Sequence, residues 1–281
     1  MEINKEIVCI VVTHNPPPTI YKLVEQISCV RVIMIDSSDS NVFNSLLEHF
    51  QNRENIVLYH EEKNLGLGNA LNIGIKMSIN LGFKFLLIME DDTYFQENVN
   101  LIDIVNEFGY FHNNSSILYL SEWDTNSTND FLLVNRNLGT NSGILISFNL
   151  AKEIRFRTEF FMDQIDINFQ HDVRKMGYKI YLTKNRIIAR LPIGREEGRR
   201  INTISTFRFY LLTRNTLRLF IERKNSTVTL IYIPGYFFKG IVAGQNAKLL
   251  LKALVHGILD GINNNMGITQ TLKFFRPDLQ P

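Results

Sequence analysis

Over its first 90 residues the chain alternates short apolar runs with helical patterns, and this alternation constrains the fold more than any other feature. Ile7–Thr13 (IVCIVVT) is a continuous apolar run of the kind required of a parallel strand buried on both faces. Pro16-Pro17-Pro18-Thr19 then opens a helix whose Ile20, Leu23, Val24 and Ile27 share one face. The pattern repeats: a strand over Val30–Ile35, a helix around Val42–Phe50, and a strand over Ile56–His60. A helix from about Gly68 to Leu81, with Leu71, Ile75 and Ile79 four apart, leads to a strand over Phe85–Met89. This β-α-β-α-β-α-β order predicts a mostly parallel sheet with right-handed crossovers. Ligands of such sheets bind beyond the carboxyl ends of the strands. Three strands end in polar signatures, Thr13-His14-Asn15, Asp36-Ser37-Ser38 and Glu90-Asp91-Asp92, which the topology gathers at one crevice.

Past the fourth strand the pattern loosens. A helix is expected near Asn98–Phe108, with short strands at Ile117–Leu120, Phe131–Val134 and Ile144–Ser147. A helix from Ile165 to Met176 is closed by Gly177, followed by strands at Lys179–Thr183 and Arg186–Ala189. Ser205–Arg223 reads as a basic helix, and the residues after 224 as apolar helices. At 281 residues and 45% hydrophobic, the chain can bury a catalytic domain over 1–224 and a helical extension over 225–281. Met1–Glu6 carries no apolar signal region, and Pro234 breaks the nearest spanning candidate, Asn225–Phe238. Cys9 and Cys29 have no metal-ligand spacing and suit a reducing cytosol as small buried hydrophobes.

The net charge of +2 hides an asymmetry. Residues 1–173 hold 11 basic against 23 acidic side chains, whereas residues 174–224 hold 14 basic against 3 acidic. An acidic lobe suits cation or sugar handling, and a basic belt suits phosphate or anionic lipid. Nucleic acid is not an expected partner, because no nucleic-acid motif accompanies the charges. Glu90-Asp91-Asp92 is the strongest local signal for chemistry. Three acids after an apolar strand repel one another, and a bound Mg²⁺ or Mn²⁺ removes that cost while bridging to phosphate. The plainer alternative is a solvated acidic turn.

As an ordered set, these segments resemble the family 2 inverting glycosyltransferases, above all their rhamnosyltransferase-like and galactofuranosyltransferase-like members. The resemblance runs through Val11-Val12-Thr13-His14-Asn15-Pro16, Ile35-Asp36-Ser37-Ser38, Asn64-Leu65-Gly66 to Asn72-Ile73-Gly74, and Glu90-Asp91-Asp92 in the Asp-x-Asp place. It continues through Ser142–Ser147, Phe161-Met162-Asp163-Gln164-Ile165-Asp166, Arg174–Ile180 and Tyr210-Leu211-Leu212-Thr213-Arg214-Asn215. It implies a GT-A fold: a Rossmann-like, mostly parallel α/β sheet flanked by helices, here with a C-terminal helical extension. It also implies donor contacts at Thr13, Asn15, Asp36, Ser37, Asn64 and Gly66, with Asp91 near the ribose and diphosphate. Asp92, helped by Glu90, would hold the divalent cation. Asp166 falls in the general-base place, and Asp163 three residues earlier is the alternative. Inversion needs one such base to deprotonate the acceptor hydroxyl as it attacks; capping the helix is the plainer role for Asp166.

One departure matters. Where metal-dependent relatives often carry a histidine, this chain has Arg190, which cannot ligate a cation but can grip a diphosphate. Either the metal binds with more water, or Arg190 partly replaces it. The downstream arginines 195, 199, 200, 208, 214 and 218 are read as partners for a diphosphate, a lipid-diphosphate acceptor or anionic head groups, with Arg214 on the donor side. The tail helix, with Lys248, Lys252, His256 and Asp260 on a narrow polar stripe, would pack on the core, close a homodimer or lie in a membrane interface. The expected activity is transfer of rhamnose or galactofuranose from a dTDP- or UDP-linked donor to a growing surface glycan or lipid-linked acceptor. The expected location is cytoplasmic, peripheral on the inner face of the membrane. The alternatives are a sugar nucleotidyltransferase, which usually has a Gly-rich loop where this chain has Pro16-Pro17-Pro18, and a silent sugar-binding module.

Overall fold

Each apolar run of the first 90 residues forms the strand it predicts, and all four pair side by side. The computed structural model describes residues 4–111, 116–191, 204–224 and 230–276. Its first elements are β1 (Asn4–Thr13), α1 (Thr19–Gln26), β2 (Val30–Asp36), α2 (Ser40–Phe50), β3 (Ile56–His60), α3 (Leu67–Ile79) and β4 (Phe85–Glu90). Then come β5 (Thr93–Phe95), α4 (Leu101–Phe111), β6 (Ser116–Ser121), β7 (Phe131–Leu133), β8 (Ile144–Ser147), α5 (Phe148–Glu153) and a 3-10 turn at Thr158–Phe160. The remainder is α6 (Ile165–Lys175), β9 (Lys179–Arg186), β10 (Ile188–Arg190), α7 (Thr206–Ile221), α8 (Tyr232–Val242), α9 (Ala247–Ile262) and α10 (Gln270–Phe275).

Eight strands form one sheet in the order β3-β2-β1-β4-β8-β6-β9-β7. The β3-β2-β1-β4 half is parallel throughout, in the register Thr13↔Asp36 and Val12↔Glu90. β8 runs antiparallel between β4 and β6, while β6 and β9 are parallel. β1 sits at the centre of the parallel half, and Ile7, Val8, Cys9, Ile10 and Val11 are all buried. One of its faces packs on Leu23, Val24 and Ile27 of the α1 region. On α3, a Cβ at Gly74 would lie 2.8 Å from Ile10 Cγ2, so glycine lets that helix lie close on the strand. Each such aliphatic side chain, fully buried, contributes roughly 1.5–3 kcal/mol. Burial also pushes the Cys9 thiol up, away from reactive thiolate; Cys29 is only half-buried.

β5 and β10 form a separate two-stranded antiparallel ribbon, registered Thr93↔Arg190, Tyr94↔Ala189 and Phe95↔Ile188. Three residues are too short a run to show a period, which is why β5 escapes sequence reading.

The chain divides into two compact units. The first comprises Met1–Asn64, Ala70–Arg155 and Asp172–Leu191; the second comprises Leu65–Asn69, Phe156–His171 and Pro192–Pro281. Within the second unit, α7 packs with the later helices. Its Phe209, Tyr210 and Leu211 share a core with Ile233, Leu250 and Ala253. Two glycines of α9 make the fit: a Cβ at Gly257 would lie 2.8 Å from Thr213 Cβ, and one at Gly261 would lie 2.8 Å from the Arg214 carbonyl oxygen. With Ala253 they form a small-residue stripe at spacing four, which an apolar-periodicity reading does not weigh.

Candidate functional site

In the first unit, the carboxyl ends of β1, β2 and β4 are tied to one another by their own polar groups. Thr13 Oγ1 donates to Asp36 Oδ1 at 2.7 Å, and the Ser37 N–H donates to the Thr13 carbonyl at 3.1 Å. Asp36 also accepts from the Ser38 N–H at 3.0 Å, and its Oδ2 hydrogen bonds with His60 Nδ1 at 2.8 Å. Thr13 and Asp36 are both buried, so they serve as the frame of the crevice. Asn15, with φ 49°, is exposed; its N–H donates to Ser38 Oγ at 2.7 Å, and its amide pairs with Asp39. The acidic turn joins the same frame, because the His14 N–H donates to Asp91 Oδ2 at 3.1 Å and Thr19 Oγ1 to the Asp91 carbonyl at 3.1 Å. His14, read from sequence only as part of the Thr13-His14-Asn15 strand end, makes this contact through its backbone; its ring also reaches the Ser37 carbonyl at 2.7 Å.

The ribbon of β5 and β10 brings Arg190 to the acidic turn, locked by the Leu191 N–H on the Asp92 carbonyl at 2.8 Å. Arg190 Nη1 lies 2.8 Å from Glu90 Oε2 and 3.8 Å from Asp92 Oδ2, and Nε lies 3.4 Å from Glu122 Oε1. Its Nη2 donates to Thr140 Oγ1 at 2.8 Å. Burial pulls the guanidinium pKa down, but Glu90, Asp92 and Glu122 more than offset this and raise it. Glu122 was missed from sequence, although it stands just beyond the end of β6, where the strand-end rule looks for function. Asp91 is pushed up to about 7, chiefly by burial; the His14 N–H opposes this, and Asp92 and Glu90 add like charge.

The donor set decides how a divalent cation would fit here. Among the described residues, no group of three or more His, Cys, Asp or Glu side chains is arranged to hold a metal ion. Glu90 is engaged by Arg190 at hydrogen-bond distance, whereas Asp92 lies at 3.8 Å, beyond it. Mg²⁺ is commonly held by one or two carboxylates, with water and substrate phosphates completing its shell. Three carboxylates against one guanidinium also leave the cluster short of positive charge for an incoming diphosphate. The residues fit a cation carried on Asp92 and shared with a phosphate, with Glu90 committed to Arg190.

The second unit holds the other sequence candidates. Phe161, Asp163 and Gln164 have φ values of 65°, 56° and 66°, three left-handed non-glycine residues within four positions. Phe161, at ψ −63°, makes a tight γ-turn closed by the Met162 N–H on the Phe160 carbonyl at 2.8 Å. This strained loop feeds α6, whose first turn carries Asp166, 8% exposed. Because α6 starts at Ile165, Asp166 lies inside the helix and is not its cap.

α7 clamps the loop. Asn215 Nδ2 reaches the carbonyls of Phe160, Met162 and Asp163 at 3.0, 2.8 and 3.0 Å. Arg214, fully buried, donates to the carbonyls of Gly267, Glu159 and Phe160 at 3.0, 3.2 and 3.2 Å. Arg214, expected on the donor side, is therefore a buried buckle of this loop. Asp163 is committed as well: Arg208 Nη2 donates to its Oδ1 at 2.6 Å. Gly66, with φ 89°, is a packing residue; a Cβ there would lie 2.5 Å from the Phe161 carbonyl oxygen. Asn64, half-buried in the first unit, follows β3. Of the arginines expected to form a basic surface, Arg218 pairs with Glu222 at 2.6 Å, and positions 195, 199 and 200 lie outside the described residues.

The parallel α/β half-sheet, with helices on its faces and an acidic turn after its fourth strand, has the architecture of the GT-A fold. Residues 8–129 match the profile described as Glycosyl transferase family 2. A search of curated proteins finds no match to the sequence. Among solved structures, the chain resembles S. aureus TarS 1-349, at 14% identity and TM-score 0.52, over 92% of this chain and 72% of that one. The same protein in complex with UDP-GlcNAc aligns at 14% identity and TM-score 0.55, over 97% and 88%. GalNAc-T7 with UDP, GalNAc and Mn²⁺ aligns at 10% identity and TM-score 0.54, over 92% and 58%. At these identities the likeness concerns the fold.

Proposed function

We propose that this protein transfers one sugar, with inversion, from a dTDP- or UDP-linked donor to a growing cell-surface glycan or lipid-linked acceptor. The observation that carries the reading is the joining of Thr13–Asn15, Asp36–Ser38 and Glu90–Asp92 at the ends of three adjacent parallel strands. The solved TarS and GalNAc-T7 structures that share the fold were obtained with UDP-GlcNAc and with UDP and Mn²⁺, which supports a nucleotide sugar and a divalent cation here. The sequence motifs favour rhamnose or galactofuranose. A lipid-linked acceptor would place the protein on the inner face of a membrane; among the described residues, no helix is long and apolar enough to cross one.

Asn15 and Ser37 would meet the nucleoside, held in place by the buried Thr13–Asp36 pair. Asp92 would hold the cation, which when bound neutralises the leaving diphosphate. Arg190 holds Glu90 and Glu122, keeping the acidic cluster together before the donor arrives. Asp166 would take the proton from the acceptor hydroxyl as its oxygen attacks the anomeric carbon and the nucleoside diphosphate departs.

Thermal stabilisation by UDP-GlcNAc, UDP-galactofuranose and dTDP-rhamnose, each with Mn²⁺ and with EDTA, tests this reading. A donor at a hundred times its Kd adds about 2.7 kcal/mol, enough to raise the melting temperature by several degrees. The expected result is stabilisation by one donor, weakened at least tenfold in affinity by EDTA and by Asp92→Asn. Stabilisation by none of them in Mn²⁺ would overturn the donor reading. Equal affinity in EDTA would move the charge role to Arg190.

A further inference from the structure

We propose that the outer face of α9 is a docking surface for anionic lipid, seated at the head-group level of a bilayer. Leu251, Val255, Ile258, Leu259 and Ile262 are 37–55% exposed. At 3.6 residues per turn they fall within an arc of about 100°. The opposite face, with Leu250, Ala253, Gly257 and Gly261, is the one packed on α7. The outward stripe is therefore not core left partly uncovered; the core side of α9 is already filled. Lys248 and Lys252 stand on the same side, toward its amino-terminal end. The neighbouring α8 adds Tyr232, Phe238 and Val242, which are 59–71% exposed, and an exposed Lys239.

Charge selects the occupant. From residue 230 to 276 the chain carries four lysines and one arginine, and its single carboxylate is Asp260. Asp260 is buried, accepting from Tyr210 Oη at 2.6 Å and from Asn265 Nδ2 at 2.8 Å. The outward surface of this stretch thus combines large aliphatic side chains with ammonium groups and displays no carboxylate among the described residues. A second copy would bring lysines against lysines. An anionic head-group layer offers an apolar boundary and phosphates together, and lysine stems reach from the first to the second. Within the basic belt, Arg174, Arg190, Arg208, Arg214 and Arg218 are engaged inside the fold, and positions 195, 199 and 200 lie outside the described residues. The inference stands on exposure and charge, independently of the donor reading.

The test is flotation with phosphatidylglycerol/phosphatidylcholine vesicles and with phosphatidylcholine alone, at low and at physiological salt. The full chain is expected to float with the anionic vesicles and to bind at least tenfold more weakly to the neutral ones. Val255→Glu/Leu259→Glu should abolish flotation, and Lys248→Glu/Lys252→Glu should remove the preference for anionic lipid. Val255, Leu259 and Lys248 are exposed, so the melting temperature should hold where these are changed; Lys252 lies over the Phe274 ring at 3.4 Å, and its replacement should lower the melting temperature only slightly. Flotation that survives Val255→Glu/Leu259→Glu, or that ignores lipid charge, would overturn the proposal. So would a wild-type dimer in light scattering that becomes monomeric in Val255→Glu/Leu259→Glu without any vesicle binding. A protein that floats but is stabilised by no nucleotide sugar would sink the donor reading while leaving this one standing.

Discussion

At the residue scale, the proposed inverting reaction has two candidates for its base, Asp166 and Asp163. Asp163 faces Arg208 through two hydrogen bonds, 2.6 and 3.3 Å, so taking a proton there would break an ion pair inside the fold. Asp166 stands in the first turn of α6 and is 8% exposed. Asp166→Asn is expected to lower turnover by roughly two to four decades while leaving donor affinity within a few fold, since general bases contribute about 10²–10⁴. Asp163→Asn should instead lower the melting temperature and reduce turnover less. Single-turnover kinetics and donor titrations on both variants check this; near-normal turnover in Asp166→Asn would transfer the role to Asp163.

At the element scale, the loop before α6 shows why some motifs carry function indirectly. Left-handed non-glycine residues cost about 1–3 kcal/mol each, and three of them persist only where surrounding groups fix them. Asn215 and Arg214 do so by donating to the loop carbonyls, and Gly261 of α9 seats the backbone of Arg214. Asn215→Ala should therefore cost about 1–3 kcal/mol of stability by leaving buried carbonyls underbonded. It should also lower kcat with donor affinity kept, because Asp166 loses its fixed approach; unchanged kcat in a destabilised variant would confine Asn215 to stability. The strands that end in Thr13–Asn15, Asp36–Ser38 and Glu90–Asp92 were legible in the sequence because parallel strands read as unbroken apolar runs and their ends as polar triplets. Ile56–His60 and Ile144–Ser147 form strands with the bounds read for them. What was not legible depends on partners distant in the chain. Arg214 looks like any basic helix residue until its carbonyl acceptors are seen, and Glu122 gains meaning only when β10 sets Arg190 beside it. The resemblance implies a donor contact at Gly66; in the fold, Gly66 and Gly68 make room for the Phe161 and Arg157 backbones.

For the whole molecule, the two units should respond to pH with opposite signs in separate windows. In the second unit, Glu222 is pulled down to about 2, first by its hydrogen bonds from Arg157, with Arg218 adding to them against the opposing effect of burial. Arg157 spans it with two bonds of 2.6 and 2.9 Å, tying the segment before α6 to the end of α7. A carboxyl depressed on folding contributes stability that is complete above its ordinary value of 4.5 and is lost as pH falls toward 2. In the first unit, Asp91 is raised from 3.8 to about 7, so its contribution has the reverse sign. The stability linked to it is complete below 3.8 and is lost as pH rises through about 7, because ionising a buried carboxyl beside Asp92 and Glu90 opposes folding. Melting curves of the wild type, Glu222→Gln and Asp91→Asn from pH 2 to 8 separate the two. Glu222→Gln should lose the acid limb and melt lower at neutral pH, whereas Asp91→Asn should lose the limb between about pH 4 and 7 and melt higher at pH 8. Mn²⁺ with a nucleoside diphosphate should flatten that second limb in the wild type, because a cation on Asp92 offsets the like charge that Asp91 feels. If Asp91→Asn leaves the neutral limb unchanged, the acidic turn is open to water, and the charge crowding that calls for a cation there is absent.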